Sequence, residues 1–412
     1  MSSVLDMLGI PAKPRPIDYP SYVLIAGILN THTHPRGTDE DGDGRAELTI
    51  PLWAEVADDI LAIGNTAVPL TTTALAQPQK ERWQALVPKG SPMRIHVAGL
   101  ITEHTDPADV VAGYDRPDGE EVWLSMKMFI RSASNSNHAD VDNLDKMIPV
   151  LRAMTETNFV HKKRPMALSL HLERKWDVFG QRISFLRREH DSVRRDLLYL
   201  LKQVPGAHLI VCHVSDATTI DVIRELRSLG YNVWGEICPH YTIWTCDDLF
   251  EGPNKGTAFN ICLFCLPIFK TEMDRRAILS AMLSGEWYWI YGSDGACWLD
   301  DPTKPGGVKI NSDGFVIGGQ TQIERANLSY IIQKFAEAGK LEYLSGFLSH
   351  NGRDAIGLPR SLVKRRFIRS EWKVDKIITR TSPTLGMQKA RVAMADMEMK
   401  YVPDKSFFGT QH

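Results

Sequence analysis

Long apolar runs are missing from this chain. None of its 412 residues belongs to a stretch of the roughly 18 apolar positions a membrane helix needs, so no membrane partner is expected. The first twenty-two residues lack a basic segment followed by an apolar core, which argues against a secretory signal. Paired cysteine motifs are scarce too. The six cysteines are scattered through strand-like segments, which is not a disulfide framework, and the cytoplasm is the expected compartment. Cys262 and Cys265 form one Cys-x-x-Cys without the second pair a zinc ribbon requires. They lie in the apolar run ICLFCLPIF and read as buried structural thiols. Nor is there an excess of charge. A formal net charge of −2 gives no long-range attraction for nucleic acid or anionic lipid, and Lys364-Arg365-Arg366 is short enough to be a solvated face. Asp39, Asp41, Asp43 and Gly44 are arranged like a calcium loop, but Ile50 stands where such a loop needs glutamate, so the segment reads as an acidic solvated turn. Repeats and low-complexity tracts are absent.

What is present has the composition of a soluble globular enzyme, with 43% apolar and 24% charged residues. Length alone allows two or three domains, or one α/β barrel with insertions. Strand-like runs occur at 23–30, about 60–65, 93–101, 121–129, 166–171, 208–213, 232–237 and 287–293. Amphipathic helical patterns lie between several of them, at 139–156, 184–203, 218–229 and 271–284. In 218–229, Ile220, Ile223 and Leu226 share a face and Gly230 follows as a C-cap. Eight strands alternating with helices predict a (β/α)8 TIM-type barrel with a C-terminal helical extension, since the pattern turns helical from about 321. The expected organisation is an N-terminal extension over 1–22, the barrel over 23–360, and a C-terminal extension over 361–412 that packs on the barrel or on a dimer partner.

Active sites in such barrels gather at the C-terminal strand ends, and the unusual polar residues fall there. His32 and His34 follow the first run; on an extended backbone residues two apart share a side, so the imidazoles leave together. Asn65 ends the second run, and Lys127 lies near the end of the fourth. His171, His213 and Asp294 end the fifth, sixth and eighth. Singly, each has an ordinary reading: a satisfied core histidine, a snorkelling lysine, a turn-capping aspartate. Jointly, four imidazoles, one carboxylate and one lysine suit two zinc-class ions. An ammonium cannot ligate a cation, but burial disfavours the charged form. A neutral amine captures carbon dioxide as a carbamate, which would make Lys127 a carboxylate-like bridge.

With these residues in place the chain resembles the amidohydrolase superfamily, and within it the short, stand-alone dihydroorotases, from about residue 22 to about 360. His32-Thr33-His34-Pro35-Arg36 resembles the family's His-x-His-x-Arg opening. Ile63-Gly64-Asn65 through Pro69-Leu70-Thr71-Thr72 resembles its second strand, and Met126-Lys127-Met128-Phe129 the carbamylated-lysine segment, followed by a mobile loop at Ser132–Asn137. His171-Leu172-Glu173, Cys212-His213-Val214, Phe264-Cys265-Leu266-Pro267-Ile268, Gly292-Ser293-Asp294 and His350-Asn351-Gly352 through Gly357-Leu358-Pro359 come next, in family order. The resemblance implies that His32, His34 and Asp294 bind one divalent metal, zinc first, that His171 and His213 bind a second, and that the Lys127 carbamate bridges them. It implies a water activated between the metals attacking a ring amide carbonyl, with Asp294 shuttling the proton to the leaving nitrogen. Arg36 and Asn65 would hold a substrate carboxylate, and backbone groups near Leu266 and Gly319 would pair with the ring amides. A homodimer is implied as well. The expected substrate is a small cyclic amide: dihydroorotate, or alternatively a hydantoin, a lactam or an aromatic imide. Two departures bear on that choice. A substrate-binding histidine is predicted about four residues beyond Asp294, where Trp298 stands as either an aromatic wall or a packing residue. Ser134 and Asn135 occupy the predicted Thr-Thr loop tip.

Overall fold

The computed structural model describes residues 19–117, 119–130, 140–156, 164–173, 190–251, 258–300, 309–310 and 316–407. Within them run eight parallel strands, each followed by a helix. They are β1 (Leu29–His34), β2 (Asp59–Ile63), β3 (Arg94–Leu100), β4 (Ser125–Ile130), β5 (Leu168–His171), β6 (Leu209–Val211), β7 (Val233–Ile237) and β8 (Trp289–Tyr291). The helices are α1 (Arg45–Ala54), α2 (Thr73–Ala85), α3 (Pro107–Tyr114), α4 (Ile148–Glu156), α5 (His190–Gln203), α6 (Ala217–Ser228), α7 (Glu272–Met282) and α8 (Glu324–Glu337). Strands such as DILAI in β2 are buried at every position, which explains their continuous apolar character rather than an alternating one. Local chemistry sets the helix ends. The Asp216 carboxylate accepts from the Thr219 N–H to start α6, and Gly230 follows its end at a φ of 88°. A reciprocal Thr271–Asp274 cap starts α7.

The strands are hydrogen-bonded in chain order from β1 to β8. Beyond β8 the chain crosses over, and Gly295 and Ala296 pair in parallel with Thr33 and His34 of β1. The ring is thereby closed: a (β/α)8 barrel. The strand predicted over 23–30 is in fact two. Tyr22–Ala26 leaves the barrel to pair antiparallel with Lys364–Lys373, and β1 begins only at Leu29. The break falls at Gly27, where a side chain would collide with Ser361 and where Asp58 Oδ2 accepts the Ile28 N–H at 2.8 Å. His32 and His34 therefore lie inside the first barrel strand rather than after it.

The helical pattern expected from residue 321 is α8, the last barrel helix, and then the short helix Asn351–Ile356, where it stops. From Lys364 onward the chain is mainly β-structure. Lys364–Lys373 pairs with Tyr22–Ala26 on one side and Glu398–Pro403 on the other, while Ile377–Ser382 and Gly386–Arg391 form a hairpin. Two charged side chains on these strands reach across to acidic partners beside the barrel. Arg365 grips Asp58 at 2.6 and 2.9 Å, and Arg380 joins Asp39. Lys364-Arg365-Arg366 is thus not a solvated helix face, and Arg365 is buried. Among the described residues no helix is long and apolar enough to cross a membrane. The expected loop Ser132–Asn137, including Ser134 and Asn135, lies outside the described residues, as does most of the N-terminal extension.

Candidate active site

The C-terminal rim of the barrel collects the histidines, the lysine and the aspartate that stand out in the sequence. His32 and His34 share one face of β1, with ring centroids 4.9 Å apart. Asp294, brought back by the crossover after β8, places its Oδ1 2.8 Å from His34 Nε2 and 3.3 Å from His32 Nε2. The ligand-capable atoms of these three residues lie within 4.8 Å of one another. His171, the last residue of β5, and His213, two beyond β6, meet with Nδ1 and Nε2 2.9 Å apart. The two groups adjoin, the His32 and His213 ring centroids being 5.5 Å apart.

Lys127 lies in β4 and is fully buried, its Nζ 5.2 Å from the Phe129 ring centroid and without a hydrogen-bond partner. Phe129 in turn packs on His171, ring centroids 5.3 Å apart. The His32 Nε2, His171 Nε2 and His213 Nδ1 atoms are also buried and make no hydrogen bond, although carboxylates lie near two of them, Asp294 at 3.3 Å from His32 and Glu173 at 3.6 Å from His171. Such a concentration of buried polar atoms without hydrogen bonds is costly unless something else occupies the centre. The donor set, imidazoles with one carboxylate and one amine, is that of a divalent transition metal.

The electrostatics agree with that donor set. Burial, reinforced by Arg36, pulls His34 down to about 3. Burial also lowers His171, and with His171 beside it holds His213 well below its ordinary range. Neutral imidazoles keep a lone pair for a cation. Burial pushes the Asp294 carboxyl up, but His32 and His34 outweigh it and keep it ionised. His32 differs: burial opposes a charge there, yet the Glu236 carboxylate raises it to about 10. A cation competing for Nε2 would displace that proton.

Arg36 and Asn65 stand beside this cluster. Asn65 Oδ1 holds His34 Nδ1 at 2.7 Å, and its backbone oxygen accepts from Arg36 Nη1 at 2.9 Å. Trp298 is buried at the rim. Two guanidinium groups lie against its indole, Arg36 at 5.5 Å and Arg45 at 5.6 Å from the ring centroid, so the residue packs on the arginine that was expected to bind a carboxylate. The Gly319 N–H donates to the Phe264 oxygen at 3.2 Å, which sets the segment of Gly319 alongside that of Leu266. The acidic turn and the Cys-x-x-Cys have structural explanations as well. Asp43 pairs with Arg45 and Asp39 with Arg380, leaving the acidic turn committed to arginine. Cys262 and Cys265 are free thiols, and Cys265 Sγ lies 3.8 Å from the Tyr241 hydroxyl.

Sequence reasoning missed Glu236, buried in β7 with Oε1 2.6 Å from His32 Nδ1. The available signal was the one that revealed Lys127, a charged residue inside an apolar strand. It also missed His240 and Gln322, a buried pair 2.8 Å apart just beyond β7 and near α8.

No family model matches the chain. Its sequence is similar to proteins named dihydroorotase along most of its length. That of Vibrio vulnificus (strain YJ016) is 28% identical over 348 residues, 83% of this chain and 89% of the relative. That of Azoarcus sp. (strain BH72) is 26% identical over 343 residues, 83% of this chain and 89% of the relative. The mitochondrial dihydroorotase of Oryza sativa subsp. japonica is 27% identical over 345 residues, covering 83% and 76% of the two chains. The barrel superposes on the Saccharomyces cerevisiae dihydroorotase crystallised with 5-fluoroorotic acid, with a TM-score of 0.76, 21% identity, and coverage of 93% of this chain and 99% of that one. It also superposes on the L-hydantoinase of Arthrobacter aurescens, with a TM-score of 0.68, 15% identity and coverage of 92% and 82%.

Proposed function

We propose that this chain, a dihydroorotase-like hydrolase of the amidohydrolase superfamily that acts on cyclic amide C–N bonds, interconverts dihydroorotate and N-carbamoyl-aspartate. The observation that carries the reading is the convergence of His32, His34 and Asp294 within 4.8 Å, beside the His171–His213 pair and a buried amine with no partner. His32, His34 and Asp294 would hold one divalent cation, and His171 and His213 a second. Lys127 would lie between them as a carbamate. When bound, such cations, zinc first among the candidates, lower the pKa of a water and polarise the carbonyl it attacks.

The chain's own groups do the rest. Asp294, ionised and facing both β1 histidines, takes a proton from the attacking water and delivers it to the departing ring nitrogen. Arg36, whose guanidinium is anchored by the Asn65 carbonyl, meets the substrate carboxylate. Asn65 couples that anchor to the metal-ligand side by holding His34 in the tautomer with a proton on Nδ1. Backbone groups near Leu266 and Gly319 pair with the ring amides.

Trp298 against Arg36 favours testing one alternative, a larger or less charged imide ring. Purified protein assayed on dihydroorotate, a hydantoin, a lactam and an aromatic imide distinguishes the two. Ring opening of dihydroorotate should dominate. No turnover of dihydroorotate, with rapid opening of another ring, would replace the substrate while keeping the chemistry.

A further inference from the structure

Glu236 is a buried carboxylate that the proposed reaction leaves unused. It is the fourth residue of β7, between Gly235 and Ile237, and only 1% exposed. Its Oε1 accepts from His32 Nδ1 at 2.6 Å and from the His213 backbone N–H at 3.1 Å. Its Oε2 lies 3.1 Å from the Thr31 hydroxyl. One carboxylate therefore touches both the strand carrying His32 and the turn carrying His213.

We infer that Glu236 is a positioning residue that sets both halves of the metal centre at once. The inference rests on the metal centre proposed for this chain. A carboxylate only accepts hydrogen bonds, so His32 must keep a hydrogen on Nδ1, and Nε2, on the Asp294 side 3.3 Å away, is the nitrogen left to ligate a cation. His213 has a φ of 39°, a left-handed conformation unusual for a residue with a side chain. Anchoring its N–H on Oε1 holds the turn that lays the His213 ring against His171. The protein also makes room for this carboxylate. A Cβ added at Gly292 would lie 2.5 Å from Glu236 Cδ and 2.6 Å from Oε2, which gives the glycine of Gly292-Ser293-Asp294 a physical reason. A competing use exists, because His32, Cys212 and Glu236 also bring ligand-capable atoms within 4.8 Å. Glu236 would then be a ligand itself.

Three variants test the assignment. Glu236→Gln keeps the shape and one accepting oxygen but loses the charge. Glu236→Leu removes both anchors. Gly292→Ala displaces the carboxylate while retaining it. Bound metal per chain is titrated with zinc, the visible spectrum of the cobalt-loaded protein is recorded, and thermal melting reports folding. The wild type should bind two equivalents. Glu236→Gln should hold one or both on the order of tenfold more weakly and Glu236→Leu on the order of a hundredfold, in the range for residues that orient ligands. The cobalt spectrum should shift in all three, and in Glu236→Gln kcat should fall with KM unchanged. Wild-type metal affinity and an unchanged cobalt spectrum in folded Glu236→Gln would overturn the inference alone. Three equivalents in the wild type, one of them lost in Glu236→Gln, would also overturn it by making Glu236 a ligand. A wild type that binds no metal would overturn the metal centre as well.

Discussion

Asparagine at position 294 would separate the proton chemistry of Asp294 from its geometry. The residue has a φ of 50°, a region that asparagine enters about as readily as aspartate, whereas alanine would add roughly 1–2 kcal/mol of strain. Asparagine has nearly the same shape and keeps a side-chain oxygen for a cation where Oδ1 now lies, 2.8 Å from His34 Nε2. What disappears is the capacity to take up and release a proton. General acid–base groups contribute about 10²–10⁴-fold, which at 1.36 kcal/mol per decade is about 2.7–5.4 kcal/mol of barrier. Because one group serves both attack and departure, kcat should fall on the order of 10³ while KM moves by less than about threefold. Since His32 and His34 outweigh burial and keep Asp294 ionised well below neutrality, the deficit should be constant across neutral pH. The assay is steady-state ring opening and closure, with metal content measured on the same sample. A kcat within about tenfold of wild type at equal metal content would remove Asp294 from the proton path.

Other named contacts give further expected outcomes. Arg36→Ala removes a charge-assisted contact worth about 1.5–3 kcal/mol, so KM for dihydroorotate should rise roughly ten- to 150-fold with kcat much less affected; an unchanged KM would indicate a neutral ring. Arg365→Met leaves Asp58 buried without its guanidinium partner, and urea unfolding should show a loss of about 3–5 kcal/mol. A loss below about 1 kcal/mol would mean that the C-terminal strands are not tied to the barrel by that pair. Removing metal with a chelator should abolish turnover while the near-ultraviolet circular dichroism persists, and adding zinc back should restore activity.

Much of the barrel was legible because its strands are buried on both faces and therefore read as apolar runs. The histidines, Lys127 and Asp294 stood out against that background for the same reason. What escaped depends on contacts distant in sequence. The run 23–30 has no internal sign of its break, because the crowding at Gly27 comes from Ser361 and the carboxylate that holds Ile28 from Asp58. The C-terminal strands were not legible because Arg365, Arg366 and Arg380 look solvated until Asp58, Asp404 and Asp39 are found opposite them. Trp298 was legible as a departure, but its meaning was not: only the fold shows both Arg36 and Arg45 against the indole.

The backbone of the site is held by the barrel around it. Among the described residues four that are not glycine have a positive φ: Arg36 at 69°, His213 at 39°, Asp294 at 50° and Asp396 at 64°. Three of the four belong to the proposed site, and each such conformation costs about 1–2 kcal/mol. Something must hold them, and in each case it is the body of the barrel. The Arg36 carbonyl accepts from Trp83 Nε1 of α2 at 2.9 Å, and the His213 N–H rests on Glu236 of β7. Asp294 is fixed through Ser293, whose N–H donates to Asn30 Oδ1 of β1 at 2.9 Å. Metal would enter a centre whose backbone these contacts already hold, and would stabilise the fold by mass action, about 2.7 kcal/mol at a hundredfold excess over Kd. That is why a metal-stripped chain should lose its chemistry and keep its shape, and why the anchors, rather than the ligands alone, decide how well the centre is formed.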